Sequence, residues 1–126
     1  MANPNIVSVT SILGNTTFVT PANTSANVLL SNAASSGDVL KINQIVAANV
    51  DVTGAVDCTV TINSAAAGGG TAYPIVSTVS VPADASLIVV DKTTAIYLME
   101  DQSIVVTSGS ANDLAFTISY EAISSS

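Results

Sequence analysis

Residues 114–121 read LAFTISYE. Side chains of a β-strand alternate between two faces. Leu114, Phe116, Ile118 and Tyr120 therefore share one face, and Ala115, Thr117, Ser119 and Glu121 share the other. One apolar row and one small or polar row describe a strand with a core on one side and water on the other. No stretch of the chain repeats every 3.6 residues as an amphipathic helix would.

Working outward, CTVTI (58–62) repeats the alternation, with Cys58, Val60 and Ile62 inward. PIVSTVSV (74–81) places Ile75, Ser77, Val79 and Val81 on one face. LKINQIVAANV (40–50) begins in the same way, but Gln44 falls where an apolar residue is due. A β-bulge there restores the phase and turns Ile45 inward. LIVV (87–90) is apolar on both faces and reads as a central or doubly covered strand. Between these runs lie turn signals: SSGD (35–38), VTGA (52–55), PADA (82–85) and SGSAND (108–113), the last of hairpin size. AAAGGG (65–70) reads as a flexible loop, because three glycines cost too much backbone entropy inside a strand. Eight to ten short strands result, with little or no helix. The expected fold is all-β: a single-domain antiparallel β-sandwich over residues 1–126, Ig-like or jelly-roll-like. NIVSVTSIL, TTFVT and ANVLL look like strands. Residues 1–37 are thus either added strands or an arm that pairs with a neighbour. Residues 124–126 read as a frayed tail.

Composition narrows the function. Charged residues are 9% of the 126, and nine acids against two bases give a net charge of -7. Lys41 and Lys92 cannot form a basic footprint, so nucleic acid and anionic membrane are excluded as partners. There is no histidine and one cysteine, Cys58, which removes internal disulfides, thiolate clusters and histidine-based triads. Cys58 reads as a small buried hydrophobe. No apolar run is long enough to span a bilayer as a helix. The N-terminus MANPNIVSVT has neither the basic nor the apolar region of a secretory signal.

The acids invite a catalytic reading and resist it. In MEDQS (99–103), Glu100 and Asp101 sit between the rows Ile96–Leu98 and Ile104–Val106. They read as a wet turn between antiparallel strands. Adjacent residues there point apart and do not converge on one substrate atom. Asp51, Asp57, Asp84, Asp91 and Asp113 also fall at strand ends, where a carboxylate accepts turn N–H groups. Asp51 and Asp57 are the best calcium pair, without a loop spacing to support them. A covalent cross-link from Lys41 or Lys92 competes with plainer roles, which the sequence favours: Lys41 outward on a strand and Lys92 capping the DKTT turn. The sequons at Asn15 and Asn23 carry little weight in a chain rich in Asn and Thr. We expect no enzyme, no catalytic, metal or cofactor-binding residues, and no cofactor.

Three stretches carry a resemblance: KINQIVAANVD (41–51), VPADASLIVVDKTTAIYLMEDQSIVVTSGSAND (81–113) and LAFTISYEAIS (114–124). They resemble small structural proteins of tailed-bacteriophage virions, particularly of phages infecting marine cyanobacteria. The resemblance implies a virion component, with Glu100 as the acid of a recurring hairpin. The function expected from it is capsid decoration or cement on the outer capsid surface, in a protein made in the host cytoplasm. Its partners would be the major capsid protein or other virion proteins, in a homo-oligomer or bound to a lattice. A tail or neck component is the alternative within that class. A host-surface or carbohydrate-binding sandwich is the rival, with Tyr73 and Tyr97 as its free aromatics.

Overall fold

The computed structural model describes residues 6–124. Nine strands follow in chain order: β1 Ser11–Val19, β2 Asn27–Asn32, β3 Asp38–Asn49, β4 Val56–Asn63, β5 Ala72–Val81, β6 Ser86–Val90, β7 Ile96–Leu98, β8 Gln102–Ser108 and β9 Leu114–Ser124. Two 3₁₀ turns, Ala66–Gly68 and Lys92–Thr94, are the helical elements among them. One sheet runs β1-β9-β3-β6, with β7 also paired to β3, and the other runs β2-β8-β4-β5. All pairings are antiparallel. Of the two sandwich types the pattern allowed, this strand order is that of a double-sheet jelly roll.

The alternation in LAFTISYE is real. Leu114, Phe116 and Ile118 are fully buried and Thr117 is exposed. Tyr120 is half-buried and packs against the core. Opposite β9, β3 holds its phase through a register break between Ile42 and Gln44. The bulge leaves Gln44 exposed and both Ile42 and Ile45 fully buried. A second bulge, between Val28 and Leu30, lets the consecutive Leu29 and Leu30 both enter the core. Beside them in the same sheet, β8 and β4 supply Ile104, Val106, Cys58 and Val60, which face the rows of β3 and β9. Burying each large aliphatic or aromatic side chain is worth about 1.5–3 kcal/mol relative to exposure. Residues 11–19 and 27–32 lie in the segment read as either an arm or added strands, and they are strands of the two sheets. Of the tail expected to fray, Ser124 ends β9, and residues 125–126 lie outside the described residues.

Several expectations change. NIVSVTSIL and TTFVT are not two strands: among their described residues, Ser11–Val19 form the single β1. LIVV is not central. It forms β6 at a sheet edge, paired with β3 alone, and Ile88 is 59% exposed. In β5, two register breaks against β4 and a left-handed Thr78 (φ 48°) disturb the alternation. Val76 thereby joins Ile75 against the core, while Val79 is partly exposed. MEDQS and SGSAND are not hairpin turns. Each carries the chain from one sheet to the other, because β8 belongs to a different sheet from β7 and β9. The AAAGGG segment is not a loose loop. It contains a 3₁₀ turn that packs on β2 and β8, as described below.

Candidate functional surface

Most chemistry-bearing side chains close the protein's own turns. Asp101 is left-handed (φ 59°), which Asp tolerates better than most residues. Its N–H donates to the Asn32 carbonyl at 2.9 Å, and its carboxylate accepts the Ala66 N–H at 3.0 Å. Two further N–H groups of that 3₁₀ turn donate to hydroxyls: Ala67 to Ser31 Oγ and Gly68 to Ser103 Oγ, both at 2.9 Å. Ser103 Oγ in turn donates to the Ala65 carbonyl at 2.8 Å. Gly68 has φ 77°, and a Cβ there would press on Val28 Cγ2 at 3.2 Å. The glycines thus let this segment lie flat on the outer face of the second sheet. The acidic pair divides its labour: Asp101 is the staple, and Glu100 is half-buried beside it.

At the opposite end, Asp51 Oδ1 accepts the N–H and hydroxyl of Thr53, both at 2.9 Å. The Thr53 backbone bond, then its side-chain bond, hold the Asp51 carboxyl below its ordinary value of 3.8. Asp91 caps the Lys92–Thr94 turn in a reciprocal capping box with Thr94. Hydrogen bonds from the Thr93 hydroxyl and N–H depress its carboxyl in the same way. The cap is therefore Asp91 and not Lys92, which is exposed. Asp113 accepts the Ser110 hydroxyl at 2.6 Å. Asp57, the other half of the calcium pair, is exposed, and no group of three His, Cys, Asp or Glu residues among those described could hold a metal ion. Lys41 sits half-buried on the outer face of β3, with Glu121 of β9 and Tyr97 of β7 as its cross-strand neighbours. Cys58 is fully buried, and desolvation pushes its thiol up to about 11.

Three buried asparagines escaped the sequence reading. Asn32, Asn49 and Asn63 end β2, β3 and β4. Asn49 Nδ2 donates to the carbonyls of Gly54 (3.0 Å), Val81 (2.9 Å) and Pro82 (3.2 Å), and its Oδ1 accepts the Asp51 N–H (2.9 Å). Asn32 Nδ2 bridges the carbonyls of Asp38 and Leu98, and Asn63 Nδ2 reaches that of Gly68. The amides of Asn32 and Asn49 satisfy carbonyls where the chain crosses between sheets, and that of Asn63 satisfies one in the turn joining β4 to β5. The only local signal is an Asn at the end of an alternating run.

Exposed apolar groups lie both in connections, as at Val7 and Val52, and on the sheets, as at Ile12, Phe18, Ile88 and Tyr97. On the outer face of the first sheet, one row runs Phe18, Thr117, Val46 and Ile88 across β1, β9, β3 and β6. Phe18 is 74% exposed. Tyr97 lies on β7 of this sheet, whereas Tyr73 lies on β5 of the other, so the two free aromatics share no platform.

No protein-family model matches the chain, and no curated protein matches it. Solved structures do. One, described as Bacillus endospore appendages forming a novel family of disulfide-linked pili, is 18% identical over 91% of this chain and 90% of that one, with a TM-score of 0.48. The Gx strain of infectious bursal disease virus gives 12% identity over 90% of this chain and 33% of that one, with a TM-score of 0.44. A mutant VP2 protein of the same virus, from derived T=1 particles, gives 10% over 92% and 36%, also at 0.44. This chain spans about a third of the length of each viral chain.

Proposed function

We propose that this protein is a structural component of a virus particle. Its role is capsid decoration, and its partner is the repeating lattice of the major capsid protein on the outer surface. It acts by binding and not by turnover. The observation that carries this reading is where the side chains go. The carboxylates of Asp51, Asp91, Asp101 and Asp113 are engaged in the protein's own turns, while Phe18, Ile12, Ile88 and Tyr97 face outward from the sheets. Such a surface meets another protein with little charge to desolvate. The phage-like segments noted in the sequence support the same reading. A sugar-binding module is disfavoured, because Tyr73 and Tyr97 do not combine into a stacking surface.

The test is direct. Particles purified from the virus that encodes the chain should contain it, and a reconstruction should hold one jelly-roll density per lattice site on the shell exterior. Rebinding of purified protein to stripped particles should change little with salt, since few charges are involved. Absence from purified particles refutes the proposal. Density confined to the tail or neck would keep the virion assignment and overturn decoration.

A further inference from the structure

The four edges of the two sheets are not equally protected. Sheet edges offer unpaired N–H and C=O groups, and natural sheets guard them with charge, proline, bulges, shortness or a covering segment. β2 carries the bulge at Val28/Leu30 and is overlain by the Ala66–Gly68 turn, whose Ala67 N–H bonds Ser31. β5 carries Pro74, two register breaks and the left-handed Thr78. On the far side of the first sheet, β6 has five residues and β7 three. Among the described residues, β1 has no such device. Its nine residues, SILGNTTFV, include no charge and no proline. It pairs with β9 from Ser11 to Val19 without a register break, and its other edge has no partner strand among the described residues. Apolar groups stand exposed on both of its faces: Ile12 (54%) and Phe18 (74%) outward, Leu13 (61%) on the face toward the core.

We infer that β1 is a self-association edge, and that its occupant is β1 of a second copy, antiparallel about a two-fold axis through Asn15. A two-fold axis perpendicular to the sheet keeps every side chain on its own face. Directly opposed residues must share a face, so the axis passes through a single residue. With Asn15 on the axis, all nine residues pair. Ile12 meets Phe18 twice on the outer face, with Gly14 opposite Thr16 between them. Leu13 meets Thr17, and Ser11 meets Val19, on the inner face. Gly14 adds to the fit, since a Cβ there would find nothing within 4 Å and the space beside Phe18 stays open. An axis at Gly14 or Thr16 instead leaves Phe18 opposite Thr10 or Gly14 and loses the apolar match. The result is one continuous sheet, β6-β3-β9-β1 joined to its symmetry mate.

Charge permits the same occupant. Two copies of a chain with net charge -7 repel unless they meet through an uncharged element. Glu121, opposite Gly14 on β9, is the acid paired directly against β1. In the paired sheet the two Glu121 residues are at least three strand spacings apart, about 14 Å. That exceeds the Debye length of about 8 Å at physiological salt. The inference stands apart from the capsid reading, because a protein that stays monomeric in solution could still decorate particles.

Sedimentation velocity of the full chain should show a monomer–dimer equilibrium that shifts with concentration. Phe18→Lys, at an exposed position, should abolish the dimer while leaving the urea midpoint unchanged at concentrations where the wild type is monomeric, because dimerisation itself stabilises the native state. The single native thiol is buried, so an introduced cysteine reports the register. Directly opposed residues lie within the reach of a disulfide, roughly 4.4–6.8 Å between Cα atoms. Asn15→Cys should form a disulfide-linked dimer under mild oxidation, and Gly14→Cys and Thr16→Cys should not. A wild type that is monomeric at every concentration overturns the inference, as does a dimer that survives Phe18→Lys. Cross-linking through residue 14 or 16 in place of 15 overturns the register.

Discussion

Asn49 is the most informative residue to perturb. It is buried at the end of β3, and its amide nitrogen faces three carbonyls at 2.9–3.2 Å. Its oxygen accepts the Asp51 N–H at 2.9 Å. Four contacts thus join the β3–β4 turn to the β5–β6 turn. A net hydrogen bond is worth about 0.5–1.5 kcal/mol, and a buried group left unpaired costs about 1–3 kcal/mol. Since the amide has two hydrogens for three acceptors, two or three effective bonds are lost. Asn49→Ala should therefore cost about 2–4 kcal/mol in urea melts with an unchanged m-value. Asn49→Asp keeps the shape and turns the donor into an anion among carbonyls. Those carbonyls raise its folded pKa above the unfolded value of about 3.9. The native state then holds a proton that the unfolded state releases, so the stability of this variant falls as pH rises from the unfolded toward the folded pKa. Relative to wild type, Asn49→Asp should be worst at neutral pH and recover in acid, where the neutral carboxyl donates again. An alanine variant costing under about 0.5 kcal/mol, or an aspartate variant with no pH dependence, would refute the donor role.

Other outcomes follow from the same geometry. Phe116→Ala, at a fully buried site, should cost about 3–5 kcal/mol, and Thr117→Ala on the exposed face should stay within about 0.5 kcal/mol; equal losses would mean that the faces are misassigned. The Asp91 carboxyl is held below its ordinary value, so its contribution is full above the unfolded pKa and lost as pH falls through the folded one. Asp91→Ala should then be less stable than wild type at neutral pH and converge with it in strong acid, as read by thermal melts across pH. Cys58, buried with its thiol near 11, should react with thiol reagents in mildly alkaline buffer only at the rate of unfolding. Deleting residues 1–36 removes β1 and β2 with Leu29 and Leu30, and circular dichroism should show the remainder unfolded.

What the sequence revealed and what it hid divide along a physical line. Alternation in 114–121 and the phase slip at Gln44 are local consequences of the pleat, and both were legible. Whether a turn stays in its sheet is not local. MEDQS has the composition of a hairpin turn, yet it crosses between sheets because the partners of β8 are β2 and β4, both far earlier in the chain. LIVV looked central because apolar residues on both faces fit a doubly covered strand. An edge strand with Ile88 in the open has the same letters. The Asp101 carboxylate finds its partner at Ala66, 35 residues away, and nothing near position 101 announces that contact. Asn49 was hidden by abundance, since a chain rich in Asn gives no reason to single out one as a staple.

The order of the strands also bears on the β1 edge. β9 is the last strand and lies between β1 and β3, so the first sheet cannot close until residues 114–124 are available. Its register joins Ser11 to Ser124, nearly the full chain. Sheets built on such distant pairings fold slowly. Throughout that interval both edges of β1 await a partner, and one has no partner strand afterwards among the described residues. The net charge offers only general repulsion, screened over about 8 Å. A single lysine at the exposed Thr16 would guard the strand without entering the core. Side chains along β1 could carry that charge at no cost to the β9 ladder, which is made by the backbone. The chain places hydroxyls, Ile12 and Phe18 there instead, which suits an edge that is to be joined and is a liability in one that is not.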